Sequence, residues 1–410
     1  SANAQESFAQ LQASTAELDS LVRFHSLLRN ELGRYQLPAA SLSTLQTTLG
    51  PGDCLLSFVV VDASVIGIAL TQDSAEVWRV DQWTSVSRRL SALLGAIGLS
   101  KPSGHSPSAA LASTAPWRSM AAELRDLLLP PAVQQTTMQA ERLVIVPTAQ
   151  LWYLPFELLP ADKPTGEPWI ARHRISYLPT LGAIASANSP RTAIQQTVGL
   201  VGNFFAANKD ANEQQAQLLA ASFAPSATIS LSQKISVPHG SWLALATDRL
   251  WIAFMKPKAV ADWNTPLIPL GESKALTLAG LLAGPPLAPE YLVLPGWRTL
   301  AESVNNLGNG DELFLPACVM LTSGARSVLI SRWAAGGTSS QRLLERCMLE
   351  YEVDSASEAQ RRAVVALWDE DFLTSDEPVL MPAGNEATTL TNGRHPLLWS
   401  GYMTLGDTVD

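Results

Sequence analysis

Two short stretches set the terms for the whole chain. Residues 248–256 read Asp-Arg-Leu-Trp-Ile-Ala-Phe-Met-Lys, and residues 291–299 read Tyr-Leu-Val-Leu-Pro-Gly-Trp-Arg-Thr. Each is an apolar run that breaks off abruptly into polar residues. That is the pattern of a buried parallel strand whose carboxyl end opens into a loop. Such strands belong to an α/β sheet covered by helices, and in open sheets of this kind chemistry collects at the carboxyl ends. Met255, Lys256, Trp297 and Arg298 stand at those ends, with Trp251 just before the first, and these five residues are the candidate site.

The rest of the chain supplies the elements around them. Residues 5–36 read as one amphipathic helix, with Phe8, Leu11, Leu18, Leu21, Val22, Leu28 and Leu32 recurring at three, four or seven. Gly33 and Pro38 are plausible stops. From Asp53 the pattern changes to strands: 54–61 and 64–70 meet at the turn Asp62-Ala63, and 76–80 completes an antiparallel meander. Residues 83–97 are helical by period, 102–107 form a loop, and 116–129 form a second helix closed by Pro130-Pro131. Residues 142–147 are a buried strand, 151–158 a second strand turning back, and 160–168 an exposed loop. Strands at 197–203 and 227–231 bracket a helix at 210–223, and 242–246 is a short helix leading into the first decisive strand. Helices at 312–322, 339–351 and 355–368, a strand at 324–333, a long loop at 374–393 and a closing strand complete the pattern.

Bulk properties exclude several classes. A chain of 410 residues exceeds one typical domain, and with 47% hydrophobic residues, 16% charged residues and 12 Trp it buries a substantial core. Net charge is -9 and the longest basic cluster is Arg361-Arg362, so no nucleic-acid partner is expected. The longest apolar run, 55–70, carries Asp62 and turn-prone residues, so no membrane span is expected. Ser1 is followed by no basic region and apolar core, and the start reads as an artificial end or a cut from a longer chain, not a signal peptide. Cys54, Cys318 and Cys347 are scattered and odd in number, which fits a reducing, cytoplasmic setting and neither a disulfide framework nor a metal site. No glycine-rich phosphate loop and no Gly-x-Ser-x-Gly elbow occurs, so no cofactor and no metal are expected.

The two decisive stretches resemble the CHAT domain, a caspase-like cysteine peptidase of the clan of caspases and separase. In that family the first strand ends in His-x-x-x-His-Gly and the second in Leu-Ser-Ala-Cys-Glu-Thr, which supply the catalytic His and Cys. Laid on this chain, the second His falls on Met255, its Gly on Lys256 and the Cys on Trp297. Other wording is similar too: Leu143-Val144-Ile145-Val146-Pro147, Leu154-Pro155-Phe156-Glu157-Leu158-Leu159, and Ile175-Ser176-Tyr177-Leu178-Pro179-Thr180-Leu181. Gly324-Ala325-Arg326-Ser327-Val328 with Ser331-Arg332-Trp333, and the closing His395-Pro396-Leu397-Leu398-Trp399, extend the resemblance to about residues 50–407. It implies a caspase-like, mostly parallel sheet flanked by helices on both faces. It also implies an N-terminal helix and linker at 1–48, a pseudo-caspase lobe at 49–190 and the CHAT lobe at 191–410. CHAT domains often follow tetratricopeptide arrays, so the first helix reads either as packed on its own domain or as the last helix of such an array.

The chemistry of the two positions is decisive for activity. A cysteine peptidase needs a thiolate and an imidazole within hydrogen-bond reach. Met255 offers a thioether with no titratable proton, and Trp297 an indole N–H that only donates. Cys318 and Cys347 sit within helical runs and read as inert thiols. His239 opens a helix after Pro238, His395 belongs to the closing motif, and His25, His105 and His173 have no ligand spacing.

Met255 and Trp297 fill the cleft with apolar volume, and Lys256, Lys258 and Arg298 ring it with positive charge. Either bulky residues close a redundant pocket after catalysis was lost, or the cleft is recast to bind an acidic or C-terminal peptide segment. The expected function is therefore a catalytically inactive pseudopeptidase acting as a protein-binding or regulatory module, with a protein or peptide partner such as an active relative. Two alternatives stay open: a cysteine endopeptidase whose nucleophile is non-standard or supplied by another chain, and a small-molecule sensor.

Overall fold

The computed structural model describes residues 41–99, 116–162, 166–186, 290–351, 353–377 and 389–407. Between these it describes 197–201, 227–230, 249–253, 266–270 and 274–283, with isolated positions at 210, 213–214, 217–218, 263–264 and 380. The chain lays down α1 (Leu42–Thr48), the strands β1 (Asp53–Val61), β2 (Ser64–Leu70) and β3 (Ala75–Val80), and the helices α2 (Trp83–Ala96), α3 (Trp117–Leu128) and α4 (Pro131–Gln139). β4 (Arg142–Val146) and β5 (Arg174–Tyr177) follow, then β6 (Thr197–Val201), β7 (Ala227–Ser230) and β8 (Arg249–Ala253). A hairpin of β9 (Pro266–Leu270) and β10 (Lys274–Thr277) leads through α5 (Leu278–Ala283) to β11 (Tyr291–Leu294). The remainder is α6 (Asp311–Thr322), β12 (Ser327–Ser331), α7 (Gly337–Glu350), α8 (Ala356–Leu367), a ribbon of β13 (Asp371–Leu373) with β14 (Leu390–Asn392), and β15 (Tyr402–Gly406).

Eleven strands form one sheet in the order β3-β2-β1-β4-β5-β15-β12-β11-β8-β6-β7. All neighbouring pairs are parallel except β1–β2, β2–β3 and β12–β15. β4 shows why its sequence is a continuous apolar run: Leu143 and Ile145 join the core beneath α2 and α3, whereas Val144 and Val146 join a second core with Leu45 and Leu49 on the other face. A strand buried on both faces has no wet side to alternate with.

Local chemistry explains the meander. Val61 pairs with Ser64 across Asp62-Ala63, and Asp62 adopts φ 53°, the left-handed conformation that a two-residue hairpin demands. Gly67 lies opposite Trp78, and a Cβ at Gly67 would overlap the indole ring. Trp78 therefore lies flat across the strand, its N–H donating to the Leu128 carbonyl of α3 at 2.7 Å.

Three expectations need correction. Residues 151–158 are not a strand but two 3₁₀ turns, Ala149–Tyr153 and Phe156–Leu158. Both edges of β4 are already taken by β1 and β5, and Pro155 has no N–H for a ladder. Pro131 does not merely close α3; it is the first residue of α4, where its missing N–H costs nothing. The segment 374–393 is less irregular than expected, because β13 and β14 bind its two ends together. The helix expected at 5–36, the loop at 102–107 and the short helix at 242–246 lie outside the described residues, as do most of 210–223.

The two halves of the sheet meet where β5 runs beside β15, through the single register pair Tyr177–Leu405. A buried ion pair reinforces that junction. The Arg332 guanidinium, at the end of β12, lies 3.2 Å from the Glu157 carboxylate, and both side chains are almost wholly buried. Tyr177 donates to the same carboxylate at 2.8 Å, and the guanidinium lies over the Tyr177 ring and donates to the Ser400 and Tyr402 carbonyls. Burial pushes the Glu157 carboxyl up from its ordinary value, and Arg332 is the principal opposing influence. A buried charge pair is tolerated only where its remaining hydrogen bonds are met, as they are on this carboxylate.

Candidate functional site

The two strands singled out in the sequence are neighbours. β11 runs parallel between β8 and β12, with Val293 opposite Trp251 and Tyr291 opposite both Arg249 and Ser327. Trp251 is buried within the sheet. Met255 and Lys256, beyond the carboxyl end of β8, lie outside the described residues, as does Lys258. The carboxyl end of β11 is described in full, and there the cysteine position of the resemblance, Trp297, is only 2% exposed.

The burial of Trp297 follows from a defect in the neighbouring helix. α6 contains Pro316 in its interior. An α-helix pairs each N–H with the carbonyl four residues earlier, so Pro316 leaves the Glu312 carbonyl without its helical donor. The Trp297 indole N–H fills that vacancy, donating to the Glu312 carbonyl at 2.8 Å. The Glu312 side chain ties the same loop down a second time. It accepts from the Leu300 N–H at 2.7 Å and from the Tyr153 hydroxyl at 2.7 Å, and that hydroxyl in turn accepts from the Gly310 N–H. Burial, followed by the adjacent Glu312 carboxylate, pushes the Tyr153 hydroxyl far above its ordinary range.

The residues flanking Trp297 are anchored as firmly. The Ser331 hydroxyl lies 2.7 Å from both the Pro295 and Trp297 carbonyls. Thr299 donates to the Arg332 carbonyl and accepts from the Ala301 N–H. Arg298, half-buried, forks onto Glu302, whose carboxylate also accepts from the Ala334 N–H at 2.7 Å. The indole expected to present an aromatic face thus points into the core, and the Arg298 guanidinium is engaged within its own loop.

No described thiol is placed for catalysis. All three cysteines are free. Burial pushes the Cys54 thiol up to about 12 and the Cys318 thiol up to about 11, and Cys347, wholly buried, is raised further. A catalytic cysteine needs the opposite shift, toward the thiolate. The two described histidines are occupied elsewhere: His173 Nδ1 lies 2.8 Å from the Ala140 carbonyl, and His395 Nδ1 accepts from the Leu397 N–H. Burial lowers both, His395 to about 4. Among the described residues no group of three or more His, Cys, Asp or Glu could hold a metal, and no helix is long and apolar enough to cross a membrane.

Residues 118–292 match the CHAT domain. The match ends inside β11, so it includes the histidine position and stops just short of Trp297. No curated protein matches the sequence. The fold of this chain is similar to that in two crystal structures of the Saccharomyces cerevisiae separase–securin complex. One, at 3.0 Å resolution, aligns with TM-score 0.54 and 7% identity over 90% of this chain. The other, at 2.6 Å, aligns with TM-score 0.50 and 7% identity over 88%. This chain spans 30% of the length of each of those chains. The architecture is therefore the caspase-like α/β fold, mostly parallel.

Sequence reasoning placed Trp297 at the right strand end and missed what holds it. A proline inside an apolar helix is a legible sign that one carbonyl needs an outside donor. Which donor arrives is visible only once β11 and α6 are packed together.

Proposed function

We propose that this chain is a CHAT-type pseudopeptidase, a caspase-like frame without a working Cys–His pair that acts as a protein-binding or regulatory module in a reducing, cytoplasmic setting. One observation carries the reading: Trp297, which the resemblance aligns with the nucleophile, has its indole N–H committed to the Glu312 carbonyl. Losing one member of a nucleophile–base unit costs nearly as much as losing both, on the order of a million-fold. A protein partner is supported by the neighbouring structures, which hold separase in complex with securin. The rival reading, a peptidase acting through Cys318 or Cys347, runs against thiols that burial raises.

The test pairs an iodoacetamide-type probe with a peptide library. We expect no sequence-specific cleavage, with labelling of the folded protein slow and confined to Cys318. Specific cleavage that disappears when one cysteine is changed to Ser would overturn the reading. The binding role is tested by Arg298→Glu together with Lys256→Glu, measured against an isolated partner by calorimetry. A basic rim that recognises an acidic segment predicts at least about a tenfold loss of affinity, and unchanged affinity leaves only the closed, redundant pocket.

A further inference from the structure

A cleft of about 840 Å³ lies in the first half of the sheet, where the carboxyl ends of β4 and β5 open beside the middle of β1. Carboxyl ends of parallel strands are where open α/β sheets receive ligands. The volume falls in the range of small-molecule sites, and the lining is mostly apolar with a few polar groups at its rim, as such sites require. Its floor is rigid. Phe58 and Trp152 are almost fully buried, Phe58 stacks on Phe156, and Trp152 meets Phe314 edge-on at 6.2 Å. The wall is held in an unusual backbone state: Ala149 adopts φ 47°, and its carbonyl packs so closely on Gly310 that a Cβ there would lie 2.5 Å from it. Left-handed conformations at residues other than glycine cluster at ligand clamps because they persist only where the surroundings impose them.

The charge of the lining selects among occupants. Asp311, in the first turn of α6, is the charged residue among the described residues that line the cleft, and none of those is Lys or Arg. An exposed aromatic ring beside a carboxylate attracts a cation and repels an anion. We propose that this cleft binds a small organic cation, an aromatic or aliphatic amine whose apolar body lies on Phe314, Val59 and Leu181, the accessible apolar side chains of the lining, and whose ammonium reaches Asp311. Thr148 and Thr180 line the same cleft, where hydroxyls serve the remaining ammonium hydrogens. The first turn of α6 thereby serves two places, with Glu312 holding Trp297 and Asp311 facing the ligand. The inference stands apart from the peptidase question.

Tryptamine and indole-3-acetate share one ring system and carry opposite charges, so calorimetric titration of both into the full chain separates body from charge. The expected result is tryptamine binding at least about tenfold tighter than indole-3-acetate. Asp311→Asn should remove most of that preference. Val59→Lys, at a rim position that is 44% exposed, should cancel it as well without entering the core, because its ammonium offsets the Asp311 carboxylate. Thermal unfolding of each variant, run without ligand, shows whether the fold is retained; the Val59→Lys arm decides the question if Asp311→Asn fails to fold. Equal binding of the two compounds, no binding of either at about 10 mM, or a preference untouched by both substitutions would overturn the proposal.

Discussion

Trp297 and Pro316 should be energetically coupled although they lie on different elements, and a double-mutant cycle measures that coupling. Trp297→Phe keeps most of the buried ring but removes the indole N–H that donates to the Glu312 carbonyl. A buried acceptor left without a partner costs about 1–3 kcal/mol. Trp297→Ala adds the loss of the ring and a cavity, for a total of about 3–5 kcal/mol. Pro316→Ala supplies a backbone N–H aimed at the same carbonyl. In the parent protein that N–H arrives at an acceptor already in use. In the Trp297→Phe background it repairs the vacancy. The substitution should therefore be more favourable in the second background by about 1–2 kcal/mol, whatever void it leaves, because the void is common to both arms. Equilibrium unfolding in guanidinium chloride of the four proteins, compared by midpoint at constant slope, reads the coupling. Additivity within about 0.5 kcal/mol would show that the indole is held by packing alone and refute the account of its inward orientation. Peptide cleavage appearing in Trp297→Ala would refute more, by showing that the indole merely covers a working site.

Other expectations follow from the buried polar groups. Burial pushes the Glu377 carboxyl up to about 8 against the pull of the Ser339 N–H and hydroxyl, with Asp376 adding to the rise. A folded value above the unfolded one means that the fold holds the proton more tightly, so stability is fullest below the ordinary carboxylate range and declines as pH climbs to about 8. Glu377→Gln should flatten that decline in a series of melts from pH 5 to 9, and an unchanged slope would count against it. Removing one side of the buried pair, by Glu157→Ala or Arg332→Leu, should destabilise by about 3–5 kcal/mol. The combination Glu157→Leu with Arg332→Met should recover much of the loss, and a strictly additive double variant in urea would argue that the pair is exposed in solution. Gly67→Val should displace Trp78 from the meander and lower the melting midpoint, with loss of the Trp78–Leu128 hydrogen bond visible as faster exchange of the Trp78 indole N–H; an unaltered midpoint would refute the close approach.

Much of the fold was legible from local pattern. Apolar runs on β4 and β11, the Asp62-Ala63 turn and the periodic helices α7 and α8 each carry their own signal, because burial on one face or on both imposes a spacing that a single segment displays. Where burial is all-round and short the signal fails. Residues 151–158 look like a strand because Trp152, Tyr153, Leu154, Phe156 and Leu158 are all buried, and the occupied edges of β4, with Pro155, exclude them from the sheet. Nothing in the sequence pairs Tyr177 with Leu405 or Glu157 with Arg332, since those contacts depend on where the last strand enters.

The candidate site divides in the same way. That no thiol stands at position 297 is a property of one letter, fixed before folding begins. Whether the indole there faces a partner or the core was decided by packing, because α6 brings a carbonyl that Pro316 cannot satisfy within reach of the one N–H the ring possesses. The cleft beneath Phe314 likewise exists only in three dimensions: its walls come from β1, β4, the turn after β5 and the start of α6, and no stretch of sequence contains it.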